Sequence, residues 1–312
     1  YHSVSVPSNE IEMKVRFHES DDPDAWFDDD GKHYPNRTSD TKFAEKTVGA
    51  INSANKLLLI EAKEGTIKRK PKPPFTTDTM LQTANSTLGW SISKTSGVAS
   101  SLYNSGHITY IRTDSTRTNK KARESIRNHI SGKLGKEYLG LGIGESGTKK
   151  NNVQDAHEAI RPSEPTIESA GKDVDEKKLY RLIWSRFAAS QMSDSVRERR
   201  SLKFSCDGVK VPITGTASWR THDGWENVFS WSICKVQSKP PEVGFTIGES
   251  WIIDSKSEMT VDYTKPPRRF TESSIIQEMK RSEIGRPSTY VSMVKNLEQK
   301  KSVSSTHLRA HE

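Results

Sequence analysis

The sequence predicts a multi-domain α and β protein in which a mostly helical unit is inserted into a β-rich one. Three observations lead there. Residues 1–62 are patterned with the period of strands, residues 75–194 with the period of helices, and strand patterning returns from Leu202 to about Val261. The predicted divisions are a β-rich first part at 1–72, a helical domain at 73–194, a second β-rich part at 195–264 and the start of a further helical section at 265–312. With 312 residues, 32% hydrophobic and 28% charged, the chain has length for about two domains at roughly 150 residues each, and no single large core is expected.

Taken in order, Ile11, Met13, Val15 and Phe17 alternate with Glu12, Lys14 and Arg16, which is a strand with one buried face. The acidic stretch at 21–35 reads as a turn-rich loop and Lys56–Ala62 as another strand. KRKPKPP, residues 68–74, combines three prolines with repelling bases and reads as a hinge or boundary. The period then changes. Thr76 or Thr77 can cap a helix with apolar positions Met80, Leu81, Ala84 and Leu88, closed by Gly89. A second helix carries Val98, Leu102 and Tyr103 and stops at Gly106, and Ile108–Ile111 follows as a short β-rich run. Further helices are predicted over Lys120–Ile130 and through Leu179, Leu182, Ile183 and Phe187. After the strand segment, Ile275, Ile276 and Met279 mark one helix, and Tyr290, Met293, Val294 and Leu297 mark another behind the GRPS start signal.

No run of about 18 apolar residues occurs, and the first residues lack the basic and apolar regions of a secretory signal, which points away from a membrane and from classical export. Cys206 and Cys234 are too few for a disulfide scaffold or a four-cysteine zinc site and read as strand residues in a reducing cytoplasm. The net charge of +8 is uneven. Residues 1–40 hold ten acids and four bases, leaving +14 on the remainder, and a basic body suits a polyanionic partner.

The most informative string is GHITYIRTDSTR, residues 106–117. Tyr110, Arg112 and Asp114 are spaced by two, so an extended backbone would project a phenol, a guanidinium and a carboxylate from one face. Hydroxyls at Thr109, Thr113 and Ser115 flank them, with Arg117 beyond. Such a row suits a phosphodiester, with the phenol as nucleophile, the guanidinium on the non-bridging oxygens and the hydroxyls as further donors. A tyrosine among isoleucines is also an ordinary half-buried strand residue. Residue type alone does not separate the two.

The order of residues does separate them, because GHITYIRTDSTR resembles the active-site segment of type IA DNA topoisomerases, bacterial DNA topoisomerase I in particular. PFTTDTMLQTANSTLGW at 74–90, QDAHEAIRPS at 154–163, LYRLIWSRFAASQM at 179–192 and KPPRRFTESSIIQEMKRSEIGRPSTY at 265–290 resemble, in the same order, further segments of that family. The resemblance covers about residues 73–297 and is weak over 1–60. It implies a type IA topoisomerase core, with a helical catalytic-tyrosine domain inserted in a β-rich arch and followed by a truncated gate base. It also implies an activity in which one DNA strand is cut through a 5′-phosphotyrosyl link, another strand passes and the cut is resealed, so that the intact enzyme relaxes negative supercoils.

On this resemblance Tyr110 matches the nucleophile and Arg112 the arginine that stabilises the phosphate. Asp114 and His157 match positions that assist nucleotide binding near the break, and Arg161, Arg286 and Thr289 match further contacts to DNA. His107 departs from the apolar or aromatic residue usual there, which leaves its role open. A free phenol is only about one part in a thousand ionised at pH 7, a cost of roughly 4 kcal/mol. In the family, help with that cost and the Mg²⁺ needed for resealing come from a toprim domain. Its Asp-x-Asp-x-Glu pattern is not formed by Asp22, Asp24, Asp28 or Asp30, so no metal site is expected in this chain. The expected partners are single-stranded and negatively supercoiled DNA, the expected form is a monomer, and the expected location is the cytoplasm at the nucleoid. The alternative is a non-cleaving module that binds single-stranded nucleic acid on the same scaffold. A tyrosine recombinase is disfavoured, since no cluster of several arginines accompanies Tyr110.

Overall fold

The structure, a computed structural model, describes residues 1–143, 157–232, 237, 239–266 and 268–299. The chain divides into two compact units, one comprising 1–68, 196–221 and 235–267, the other 69–195, 222–234 and 268–312.

The first unit is built on a seven-stranded sheet: β1 (His2–Ser8), β2 (Ile11–Val15), β3 (Lys56–Arg69), β4 (Ser195–Cys206), β5 (Val209–His222), β6 (Ser250–Ile252) and β7 (Glu258–Val261), in the order β6-β3-β4-β5-β2-β1-β7. β1 and β2 form an antiparallel hairpin in which Ser8 faces Ile11. The two residues between them, Asn9 and Glu10, both take positive φ (50° and 60°), as a tight turn matching strand twist requires. The alternation read at Ile11, Met13 and Val15 is observed, with all three buried and Glu12 and Lys14 exposed. β3 is longer than the seven residues predicted and runs to Arg69, so the proline-rich boundary begins after the strand rather than at Lys68. A helix that the patterning did not reveal, α1 (Thr41–Ala54), packs Ala44 and Ile51 on the sheet core of Val4, Met13, Leu57, Leu59, Phe204 and Trp251. Asp40 caps it by accepting the Phe43 N–H at 2.9 Å, and Asn55 ends it in the left-handed conformation. In the acidic loop, Asp28 accepts the Asp30 and Lys32 N–H groups, and Asp22 pairs with the buried His18. Cys206 closes β4 as a buried thiol, while Cys234 lies outside the described residues.

The second unit holds α2 (Thr77–Leu88), α3 (Ile92–Asn104), α4 (Lys120–Leu134), α5 (Val174–Ala189), α6 (Glu272–Arg281) and α7 (Tyr290–Gln299). Polar residues precede the first four, and the cap read at Thr76 or Thr77 is observed. Thr76 precedes α2, Ser91 caps α3, Asn119 caps α4, Asp173 caps α5, and Gly89 ends α2 at φ +65°. α5 is buried along most of its length, and Leu179, Tyr180, Ile183, Trp184 and Phe187 pack among Phe75, Met80, Leu102, Ile126 and Ile160. Each such large side chain contributes about 1.5–3 kcal/mol through burial. A smaller core joins Leu81 and Ile92 to Ile276, Met279, Tyr290 and Val294, so α6 and α7 pack on α2 and α3 within this unit. Two polar links accompany it, Glu272 accepting the Ile92 N–H at 2.7 Å and Lys280 reaching Asp78 at 2.7 Å.

Candidate active site

The segment between α3 and α4 carries the site. Gly106 takes φ +74° just after α3 and turns the chain, letting the His107 N–H reach back to the Leu102 carbonyl at 2.9 Å. The His107 ring meets Tyr180 edge-on at 6.3 Å, which gives this departure from the family pattern a packing role.

From there the structure corrects one expectation. Ile108–Ile111 is not a strand. Ile108 makes a single bridge to Pro162, and residues 109–119 form no ladder. Their polar groups are instead taken up singly. Thr109 Oγ1 donates to the Ala159 carbonyl at 2.8 Å and accepts the Arg161 N–H at 3.0 Å. The Ala159 N–H donates to Arg117 O at 2.7 Å, and Thr77 binds the backbone of Ile111 and Thr113 from the other side. Exposure nonetheless alternates along the segment, Tyr110, Arg112 and Asp114 facing out while Ile111, Thr113 and Ser115 face in.

The tyrosine ring is 37% exposed and sits between two others. Tyr103, at the end of α3, meets it edge-on at 5.4 Å, and His157 lies against it at 5.4 Å and 31°. His157 is half-buried and lies outside any helix; of the segment QDAHEAIRPS, residues 154–156 fall outside the described residues. Arg112 and Asp114 form no salt bridge with a described residue, so the guanidinium is available to an incoming anion.

The flanking hydroxyls sit differently from the expectation that they donate to DNA. Thr113 and Ser115 are only 2% and 4% exposed; Thr113 Oγ1 accepts the Ser115 N–H, and Ser115 Oγ accepts the Arg117 N–H. With Thr109 also engaged, all three shape the segment. Arg161 is held too, its Nε and Nη2 on Glu158 at 2.7 Å and Nη1 on the Pro162 carbonyl. Arg286 and Thr289 are both exposed. The Thr289 hydroxyl accepts the Arg286 N–H at 2.8 Å and lies 3.1 Å from its carbonyl, fixing the turn into α7.

α7 then brings Tyr290 beside the site. Burial raises its phenol above the ordinary range, and the charges of Asp78 and Asp114 add to the rise against the opposing Arg286. Asp78 is 2% exposed, accepts the Thr76 hydroxyl at 2.7 Å and pairs with Lys280. Tyr103, Thr77, Asp78 and Tyr290 are neighbours that motif reading did not single out as site residues. Thr77, Asp78 and Tyr290 lie within segments that carry the family resemblance, but they and Tyr103 read as helix starts or helix positions.

A family model described as DNA topoisomerase matches residues 3–311, including the first 60 residues where motifs were weak. The chain belongs to the type IA, bacterial DNA topoisomerases. DNA topoisomerase 1 of Thermotoga maritima is 41% identical over 269 residues, which are 82% of this chain and 41% of that protein. DNA topoisomerase 1 of Escherichia coli is 33% identical over 263 residues, covering 81% of this chain and 29% of that protein. The solved structure of full-length topoisomerase I from Thermotoga maritima matches with a TM-score of 0.76 at 33% identity, over 96% of this chain and 46% of that one. The topoisomerase chain described here therefore spans less than half the length of these relatives. Among its described residues no helix is long and apolar enough to cross a membrane, and no group of three or more His, Cys, Asp and Glu residues is placed to hold a metal ion.

Proposed function

We propose that this chain carries the strand-cleaving tyrosine of a type IA DNA topoisomerase. The phenol oxygen of Tyr110 attacks a backbone phosphorus of single-stranded DNA; the bond from phosphorus to the 3′ oxygen breaks, a 5′-phosphotyrosyl link forms, and the proton lost by the phenol is balanced by one gained, through solvent, by the departing 3′ oxygen, which leaves as a hydroxyl. Attack by the freed 3′ hydroxyl reverses the step and restores the strand. Passage of a second strand between the two steps lets the whole enzyme relax negative supercoils. The reading is supported above all by one observation, a surface phenol flanked by His157 and followed two residues on by an exposed guanidinium that pairs with no acid among the described residues.

In this reading Arg112 neutralises the charge that builds on the non-bridging oxygens, an effect worth roughly two to three orders of magnitude in rate at comparable sites. His157 and Asp114 orient the nucleotides beside the break, and Arg286, exposed at the turn into α7, adds a contact to the DNA backbone. Arg161 and the hydroxyls of Thr109, Thr113, Ser115 and Thr289 act by shaping the site. Mg²⁺ supports resealing in this family, and no residue of this chain is assigned to hold it. The same reading takes residues 1–72 and 195–264 as the arch, 73–194 as the tyrosine domain and 265–312 as the start of the gate base, acting as a monomer on DNA in the cytoplasm.

The deciding experiment incubates a 3′-labelled single-stranded DNA with the chain and Mg²⁺. It is run with and without the part of the Thermotoga maritima enzyme that lies outside the match. A denaturation-resistant adduct that disappears in Tyr110→Phe supports the assignment. Salt-sensitive binding without any adduct, even with the added part, supports a binding module instead.

A further inference from the structure

We propose that Thr77 is a positioning residue for Tyr110 and Arg112, an inference that rests on the cleavage reading above. The residue is buried, 6% exposed, at the first turn of α2, and its hydroxyl bonds the tyrosine segment 34 to 36 positions along the chain. The hydroxyl oxygen lies 2.6 Å from Ile111 O and 3.0 Å from Thr113 O, within donating distance of both carbonyls, and it accepts the Thr113 N–H at 2.8 Å. The Thr77 N–H adds a donor to Thr113 O at 2.8 Å. One threonine thus holds both residues that bracket Arg112, and Ile111 is the residue next to Tyr110.

This arrangement replaces a strand partner. Residues 109–119 have no ladder, so the direction of the Tyr110 and Arg112 side chains depends on separate anchors. Thr109 supplies one on the side of Tyr110 nearer α3, through Ala159 and Arg161. Thr77 supplies the other. A buried hydroxyl that satisfies a carbonyl and an N–H at once is costly to remove, because both backbone groups lose their partner away from water. The loop would relax to recover those bonds, carrying the guanidinium and phenol with it. A displacement of about 1 Å at reacting groups can cost about 100-fold in rate.

α2 is itself held in register. The Thr76 N–H donates to Thr79 Oγ1 at 2.9 Å, and Asp78 is fixed by the Thr76 hydroxyl and Lys280. The Thr77 anchor therefore stands on a supported helix end, and its loss is felt by the loop rather than by α2.

The test compares Thr77→Val, which keeps shape and removes both hydrogen-bonding roles, with Thr77→Ser, which keeps the hydroxyl. In the adduct assay above, Thr77→Val is expected to slow adduct formation at least tenfold, with the dissociation constant for the single strand within twofold and the melting temperature within a few degrees of wild type. Thr77→Ser is expected to restore the rate. A second arm needs no cleavage: hydrogen exchange at the Thr113 amide is expected to accelerate at least tenfold in Thr77→Val, to stay slow in Thr77→Ser, and to leave the amides of α5 unchanged. An adduct rate equal to wild type in Thr77→Val overturns the inference while leaving the cleavage reading intact. So does a loss of rate matched by loss of DNA affinity or of melting temperature. Absence of an adduct from the wild-type chain overturns the cleavage reading, and the positioning inference is then decided by the exchange arm, where an unaccelerated Thr113 amide rejects it.

Discussion

The Tyr110 and His157 rings lie 5.4 Å apart, centroid to centroid, and 31° from parallel, although 47 positions separate them in the chain. His157 reaches the tyrosine because Ala159 and Ile160, just beyond it, are tied to Arg117 and Phe75 by backbone hydrogen bonds of 2.7 and 2.8 Å. The imidazole is thus held beside the proposed nucleophile by backbone rather than by a helix. His157→Ala is expected to lower the rate of adduct formation about tenfold or more while changing stability by less than about 1 kcal/mol, because the ring is only half-buried. Unchanged cleavage kinetics would leave His157 a packing residue only.

Arg112 points to solvent and forms no salt bridge with a described residue, so the folded protein does not spend its charge on itself. If the guanidinium stabilises developing charge on the phosphate, Arg112→Ala slows the chemical step roughly 100- to 1000-fold with a much smaller loss of DNA affinity. Arg112→Lys, which keeps charge without the planar two-pronged donor, falls between. Single-turnover adduct formation and equilibrium binding, measured on the same oligonucleotide, separate the two quantities. Equal losses in both would reduce Arg112 to a phosphate anchor.

Spacing by two predicts that Tyr110, Arg112 and Asp114 face one way, and their exposure follows that spacing; hydrogen bonding does not. A strand needs a partner with a matching row of donors and acceptors. Here the groups go to Thr77, to the backbone of Ala159 and Arg161, and to one isolated bridge between Ile108 and Pro162. A local sequence pattern carries no record of such distant partners. The same limit hides the inward turn of Thr113 and Ser115, because a hydroxyl beside a catalytic motif reads as a ligand contact until its backbone partner is known. α1 escapes periodicity analysis for another reason. Its buried positions are Ala44, Thr47 and Ile51, only one of them large and apolar, and the readable signal was the cap at Asp40. By contrast, α2 is bounded by Thr76 and Gly89, residues whose backbone chemistry marks a helix start and stop, and both ends lie where the sequence placed them.

The Asp78–Lys280 pair joins the first turn of α2 to the last turn of α6, with the carboxylate side chain 3% exposed and the ammonium side chain 48% exposed. Removing the lysine leaves a buried carboxylate with the Thr76 hydroxyl as its hydrogen-bond partner among the described side chains. Lys280→Ala is therefore expected to destabilise the protein by about 1–3 kcal/mol in denaturant unfolding. Asp78→Asn combined with Lys280→Ala is expected to cost less than the sum of the two single changes, since the double variant buries no unpaired charge. Strict additivity would show that the two groups do not interact in solution.

Glu168 ties α4 to α5, accepting hydrogen bonds from His129 at 3.0 Å, Lys133 at 2.5 Å and Arg181 at 2.9 Å. Burial by itself would raise this carboxyl, but the three donors and the positive charge of Lys133 outweigh it and hold the group at about 2, below the ordinary 4.5. A carboxyl whose folded value is depressed contributes stability that is fully present above the unfolded value, about pH 4.5, and is lost as the pH falls toward 2. Wild type should accordingly lose melting temperature between about pH 5 and 2 faster than Glu168→Gln. The variant should already be less stable at pH 7, because amide replacement leaves the three bases facing one another without a counter-charge. The difference between the two pH curves isolates this carboxyl from the other acids that titrate in the same range. Parallel curves would mean that Glu168 is solvated and unpaired in solution, and that the packing of Trp184 and Ile126, rather than this ionic contact, holds α4 on α5.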